Sequence, residues 1–478
     1  MSTTLLASAP LWLLGAGTTL LLLLVAWRRD AAALRRYGAL LLLAAATGCA
    51  LSLLAAQHAV PISPLLAADG TAQTLALLFC LLGWGAFSLP AGDALSARDQ
   101  HEEYYLLLLL VVLGACLLAY ARHAASLVLG IELMSLSAYA LIAYPSQRRA
   151  PLEAAIKYLL MSAAASASIL FGLALLYAHS GGLALAELAG AAAAPGGLAA
   201  AGAVLLLGGL AVKTALVPFQ LWTPDVYDGA PTAVSALLVS ATKGATIYVL
   251  YRFGFAGGLL DIPAFGAALA AIAIASILAG NWLALLQHNL KRLLAYSSIA
   301  HSGYMLLALA AATGGPSRPL AQEAGLFYLF SYLLASFTAF ALLAHVAGRE
   351  DADSRPDITA LRGLLWRAPL PALLLMLALL SMAGVPLTAG FVGKVYLFSA
   401  AAAGGHTLLL WALVLGSAIG VYYYLRVVYT MTLRDGGGAA LQPAQPAWRL
   451  LAGGLAAGIL LLGIAPAPFM AHIGRLLY

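Results

Sequence analysis

The chain of 478 residues is divided by short polar connections into fourteen apolar stretches. Each is close to the roughly 20 residues an α-helix needs to cross the hydrocarbon of a bilayer. They run approximately over 10–27, 37–56, 71–91, 104–120, 124–144, 152–178, 198–219, 231–253, 263–287, 292–313, 321–347, 368–400, 405–431 and 447–470. Charged residues make up only 9% of the chain, against roughly 25% in an average soluble domain. There are too few polar side chains to coat a water-facing surface, which excludes both a soluble globular protein and a disordered one. The formal charge of +6 is spread along the chain without a basic stripe, which excludes a nucleic-acid binder. The pattern predicts an all-α polytopic membrane protein.

Pro10–Trp27 is followed by Arg28 and Arg29. A signal peptide carries its basic residues ahead of the apolar core and a cleavage site behind it, so this stretch is expected to remain as the first span. Cys49, Cys80 and Cys116 each lie inside an apolar run, with no CxxC pair and no metal-ligand spacing. They are expected to be small buried hydrophobes.

The basic residues fix an orientation. Connections after odd-numbered spans hold Arg28, Arg29, Arg35, Arg36, Arg98, Arg148, Arg149, Lys291, Arg292, Arg349, Arg355, Arg362, Arg367, Arg434 and Arg449, fifteen in all. Connections after even-numbered spans, with the C-terminal tail, hold four: Arg122, Arg252, Arg318 and Arg475. The positive-inside rule then puts the odd connections in the cytoplasm and both termini outside.

The five remaining basic residues, Lys157, Lys213, Lys243, Lys394 and Arg426, fall within spans. Four of the chain's five lysines are thus intramembrane, whereas eighteen of nineteen arginines are not. Arginine cannot shed its proton to escape the cost of burial; lysine can, because burial disfavours the charged form. A buried lysine is therefore suited to passing protons. Lys213, Lys243 and Lys394 lie deepest. Lys157, near the start of its span, is a further relay candidate that could also snorkel, whereas Arg426, near the cytoplasmic end of its own, reads as snorkelling.

Glu132 is the one deep carboxylate. Isolated in hydrocarbon it is costly, and a buried lysine is its expected partner. Glu153 and Lys157, at i and i+4, can pair on one helix face. His301, about ten residues into its span, is a candidate titrating group; a structural histidine held by Ser and Tyr hydroxyls reads almost equally well. His345 and His406, near span ends, read as structural.

Two spans carry interruptions. The seventh contains Pro218, with Pro224 and Pro231 following; the twelfth contains Gly384, Pro386, Gly390 and Gly393. Backbone groups freed by such breaks cannot face lipid, and interrupted helices in matching positions of two halves point to an ion path. Each break has a lysine beside it, Lys213 and Lys394. Pro218 and Pro386 are 168 residues apart, and Glu132 and His301 are 169 apart. These offsets predict two five-span repeats, spans four to eight (101–258) and nine to thirteen (259–435). They would follow a three-span segment (1–100) and precede a last span (436–478). An odd number of spans per repeat makes the two inverted.

The runs GIELMSLSAYAL, EAAIKYLLMSAAAS, VKTALVPFQLWTPDVYDGAPTAVSALLVSATKGA, KRLLAYSSIAHSGYML and AGVPLTAGFVGKVYLF resemble the antiporter-like membrane subunits of respiratory complex I. The resemblance covers about 101–431. It implies that Glu132, Lys213, Lys243 and Lys394 match the family's ionisable residues of spans five, seven, eight and twelve, and that Lys157 matches a sixth-span lysine. At Gln220, seven residues after Lys213 and so on nearly the same helix face, the family usually has His. Gln cannot titrate; it can only order water.

The resemblance also implies a function: proton translocation in a multi-pass subunit of the bacterial inner membrane, within an NADH:quinone oxidoreductase. Protons would enter from the cytoplasm near the seventh-span break and load Lys213. They would then pass through Lys243, with His301 or water bridging, and leave from Lys394 to the outer side, with Glu132 as the switch. FMN, Fe–S clusters and quinone are expected on other subunits. No GxGxxG in a βαβ unit, Walker sequence or cluster-binding cysteines occur on this chain. Implied partners are the other antiporter-like and small membrane-arm subunits, the lateral helix of the distal subunit, and membrane lipid. Two other readings compete: a Na⁺/H⁺ antiporter subunit, for which one deep carboxylate is a poor sodium site, and a non-conducting scaffold, in which most buried lysines would lack an acidic partner.

Overall fold

The computed structural model describes residues 3–27, 30–55, 59–89, 102–145, 147–313, 315, 317–347, 357–434 and 446–477. Arg28, Arg29, Arg98, Arg349 and Arg355, used in fixing the orientation, lie outside the described residues. Helices α1 (Thr3–Trp27) and α2 (Ala31–Ala55) are followed by a departure from the all-α expectation, an antiparallel hairpin of β1 (Val60–Ser63) and β2 (Leu66–Ala68). Pro61 and Pro64 deny this connection a helical hydrogen-bond ladder. Then come α3 (Gly70–Ser88), α4 (Glu102–Tyr120), α5 (Ala124–Ile142), α6 (Arg149–Ser180), α7 (Leu185–Ala192), α8 (Gly197–Lys213) and α9 (Trp222–Gly229). Beyond them lie α10 (Thr232–Ala256), α11 (Pro263–Leu285), α12 (Leu290–Ala311) and α13 (Arg318–Ala347). The last are α14 (Pro369–Ala383), α15 (Ala389–Ala403), α16 (Thr407–Thr432), α17 (Pro446–Ile464) and α18 (Ala467–Leu477).

Among the described residues eleven helices are long and apolar enough to cross a membrane, and thirteen spans result if two bent pairs count as one each. The pairs are α7 with α8, bent by 118°, and α17 with α18, bent by 85°. The short helix α7 was not anticipated. Helices α14 and α15, of 15 residues each, are shorter than a span.

Both expected interruptions are present. The stretch 198–219 is not one helix: α8 stops at Lys213, Ala215 takes a left-handed φ of 58°, and the Val217–Pro218 peptide is cis. Gln220 therefore does not follow Lys213 around one helix face, because no helix joins them. The stretch 368–400 is likewise divided. Gly384 closes α14 at φ 86°, Leu387 sits at φ 71°, and α15 starts at Ala389. A non-glycine residue in this region is strained, and each break contains one.

The helices form a centre and a surround. Apolar windows of α10, α12 and α13 are buried along all or nearly all their length, whereas those of α1, α6, α11 and α16 are mostly uncovered. A helix apolar on all sides belongs inside, yet α10 and α12 carry Lys243, Lys291 and His301 into that centre. Small residues let neighbouring backbones approach. A Cβ on Gly280 of α11 would lie 2.5 Å from the Ala300 nitrogen of α12, and one on Gly209 of α8 would lie 2.6 Å from the Ala165 carbonyl of α6.

Gly280→Leu should force α11 from α12 at an overpacking cost of about 1–3 kcal/mol or more, lowering the thermal midpoint and the yield of assembled protein. Gly208→Leu, where nothing lies within 4 Å of the new Cβ, should leave both unchanged.

Candidate functional site

Lys213 is the last residue of α8, and its side chain crosses to α5 and α6. Its Nζ donates to Ser162 Oγ at 2.7 Å and to Ser135 Oγ at 3.0 Å. Glu132 precedes Ser135 by three residues on α5, so both face the same way. The expected ion pair of Glu132 with a buried lysine is not made. The serine hydroxyls accept the ammonium's hydrogen bonds, and Glu132 Oε1 is buried without a hydrogen-bond partner. Glu132 lies one helical turn before Ser135, the residue that Lys213 binds.

Lys213 and Lys243 line the same small cavity, walled by Ser135, Tyr158, Trp222, Tyr227, Thr242 and Thr246 among others. It has room for about one water molecule. Lys243 is almost fully buried on α10. The turn just before it, Leu238–Thr242, is a π-helix, whose extra residue turns the following side chains by about 100° relative to a regular helix. Lys243 Nζ donates to the carbonyl and the hydroxyl of Ser298 on α12, both at 3.0 Å.

One turn further along α12, His301 is buried among tyrosines. Its Nδ1 is 2.7 Å from Tyr328 OH and its Nε2 is 3.3 Å from Tyr424 OH, which also meets Ser297 Oγ. The Tyr304 ring packs edge-on to the imidazole and lies 5.2 Å from Lys394 Nζ. Lys394, on α15, reaches back across the break and donates to the Met382 and Ala383 carbonyls at 3.2 and 2.9 Å. These carbonyls end α14, where the helix dipole favours a cation. Lys243, His301 and Lys394, all buried, and Lys213, partly buried, are thus brought into one series. Among the described residues no carboxylate lies within 4 Å of any of the three ammonium groups.

Lys157 stands apart from that series. Its side chain is 40% exposed and pairs with Glu153 at 2.6 Å, as the i, i+4 spacing predicts, and with Asp225 of α9 at 2.7 Å. Asp225 also accepts from Arg292 at 2.7 Å. Lys291, read from sequence as a connection residue, is in fact buried in the first turn of α12. Its Nζ donates to the Asp228 and Ala230 carbonyls at the end of α9, at 2.8 and 2.7 Å. The signal in the sequence is TPDVYDGAP, whose two aspartates and helix end call for facing cations, supplied by Lys291 and Arg292 at the start of α12. Arg426 does not simply snorkel: it donates to the Leu285 and Gln287 carbonyls closing α11. Gln220 lies in the break, outside the cavity lining, with its Oε1 buried and unpartnered. His345 stacks on Trp448, and His406 meets the Thr313 carbonyl at 3.2 Å, both structural contacts as expected. The three cysteines are free and buried. Among the described residues no cluster of three or more His, Cys, Asp or Glu side chains is placed to hold a metal.

A bundle of this length, with lysines inside it and beside two helix breaks, defines a polytopic membrane subunit, and comparison with known proteins agrees. The family model described as NADH:quinone oxidoreductase/Mrp antiporter, TM, matches residues 121–420. The chain belongs to this family. NADH-quinone oxidoreductase subunit N of Chromohalobacter salexigens is 41% identical over 420 residues, 87% of either chain. A chain of respiratory complex I from Thermus thermophilus superposes with a TM-score of 0.83 at 34% identity, covering 98% of this chain and 99% of that one. More distant chains share the fold. One, from the archaeal membrane-bound sulfane sulfur reductase, has a TM-score of 0.86 at 24% identity, over 98% and 96% of the two chains. Another, from the Mrp complex of Dietzia sp. DQ12-45-1b, has a TM-score of 0.85 at 20% identity, over 100% and 97%.

Asp225→Ala removes the acceptor shared by Lys157 and Arg292. Because the cluster is partly solvated, the cost should be about 1–2 kcal/mol, read as a lower thermal midpoint of the assembled protein. Glu153→Ala, which leaves Asp225 in place, should cost less.

Proposed function

We propose that this chain is a proton-translocating membrane-arm subunit of a bacterial NADH:quinone oxidoreductase, in the place held by subunit N, in the inner membrane. The observation that carries the reading is the series Lys213–Lys243–His301–Lys394, whose members are bridged by hydroxyls, one small cavity and tyrosine rings. Protons enter near the break after α8 and load Lys213. They cross the shared cavity to Lys243, pass along the Ser298–His301 face of α12, and reach Lys394 for release to the outer side. Glu132 sets the switch: near Lys213 it holds the proton there, and when neutralised or moved away it lets the proton leave. Lys157 and Asp225 guard the cytoplasmic entrance. Moving one charge against the membrane potential takes about 2.3 kcal/mol per 100 mV, and FMN, Fe–S and quinone chemistry on partner subunits would supply it.

In this reading the eleven long helices, the two bent pairs and the pair α14–α15 make fourteen spans. An even count places both termini on one side, and the arginine distribution makes that side the periplasm. Residues 1–100 form an entry segment, 101–258 and 259–435 two inverted five-span repeats, and 436–478 the closing span. Supporting the repeat, α4 packs on α5 as α11 packs on α12, and α6 packs on α8 as α13 packs on α14 and α15. Each unit also carries one break with one left-handed non-glycine residue and one lysine beside it.

Reconstituted in sealed vesicles with its partner subunits, the Lys243→Met variant should take up fewer protons per NADH oxidised, while assembly and uncoupled electron transfer persist. Unchanged pumping would sink the relay. A loss of assembly instead would favour the scaffold reading. Because position 220 lies outside the Lys213–Lys243 cavity, Gln220→His should leave the proton-to-NADH ratio unaltered.

A further inference from the structure

A second, larger cavity of about 480 Å³ opens at the side where α4 ends and α5 begins. This is within the roughly 300–1,000 Å³ range of ligand pockets. Its wall is apolar, with Leu185, Phe255 and Leu477 presenting surface and Leu118 and Leu206 packed behind. Its mouth carries Arg122, Arg252 and Asp69. The two guanidinium groups differ. Arg122 is paired with Asp69, which also caps α3 through Ala72 N. Arg252 makes one hydrogen bond among the described residues, to the Ala119 carbonyl at 3.2 Å, and lies over the Tyr248 ring at 5.6 Å. No carboxylate among the described residues lies within 4 Å of it.

A half-buried guanidinium with an unused fork, at the rim of an apolar chamber, matches an anion joined to a hydrocarbon tail. The placement is specific as well. Only four basic residues fall on this side by the sequence pattern, and two of them line this one pocket. We infer that the cavity binds an amphiphile with a net-negative head, a phosphate or carboxylate with no compensating cation, held by Arg252 and flanked by Arg122, its tail lying along Leu185, Phe255 and Leu477.

The test uses the assembled complex in phosphatidylcholine nanodiscs doped with one of three photoactivatable probes: phosphatidylglycerol, palmitic acid or phosphatidylcholine. Peptides containing Leu185–Ala186 and Val249–Phe255 should be labelled about tenfold more by an anionic probe than by phosphatidylcholine, the worth of one charge-assisted hydrogen bond. Labelling by phosphatidylglycerol alone assigns a phosphate head, labelling by palmitic acid alone a carboxylate, and either supports the site. Arg252→Gln should abolish the preference. Ala256→Trp, at the exposed rim of the same pocket, should block labelling even if Arg252→Gln fails to assemble. Equal labelling by all three probes, or a preference that survives both substitutions, overturns the proposal.

Discussion

Everything in the centre of this molecule follows from the cost of placing an ammonium group in a medium that cannot solvate it. Three such groups, on Lys213, Lys243 and Lys394, are met by oxygen atoms of serines and helix-end carbonyls and not by carboxylates. A carboxylate partner would lock a proton in place; a neutral oxygen satisfies the ammonium and also leaves the neutral amine tolerable. The breaks in the helices are part of the same solution. A helix that stops inside the bundle leaves carbonyls without intrahelical partners, and those carbonyls are what Lys394 and Lys291 bind. Broken backbone and buried lysine each make the other affordable.

Much of this was legible in the chain. The span pattern, the two interruptions, the lysine beside each and the depth of Lys243 and His301 all came from apolar run length and proline and glycine placement. These are local properties, and the membrane enforces them strictly because it offers the backbone no water. Partner identity was less legible. Glu132 was matched to a lysine by charge alone, whereas Ser135 and Ser162, which accept hydrogen bonds from Lys213, are common residues whose role depends on how α5, α6 and α8 pack. Lys291 looked like a connection residue because it adjoins Arg292. Only the fold brings it beneath the end of α9.

The seven-residue spacing of Lys213 and Gln220 is instructive in the same way. Helical periodicity is a sound argument only while the helix continues, and here it ends at the lysine itself. The proline that marked the break should have cancelled the face argument across it. The π turn before Lys243 is the converse case: nothing in LVSAT announces it, yet it decides which way the lysine points.

The division between a buried centre and an uncovered surround has a further meaning. The ionisable line is confined to α10, α12 and the breaks that flank them, while α1, α6, α11 and α16 present mainly Leu, Trp and Tyr outward. Outer side chains can therefore be exchanged to suit a different neighbour without touching the chemistry within. A unit built this way is interchangeable between assemblies, like one cell design wired into several batteries, which is consistent with the recurrence of this fold in complexes as unlike as a quinone reductase, a sulfur reductase and an antiporter.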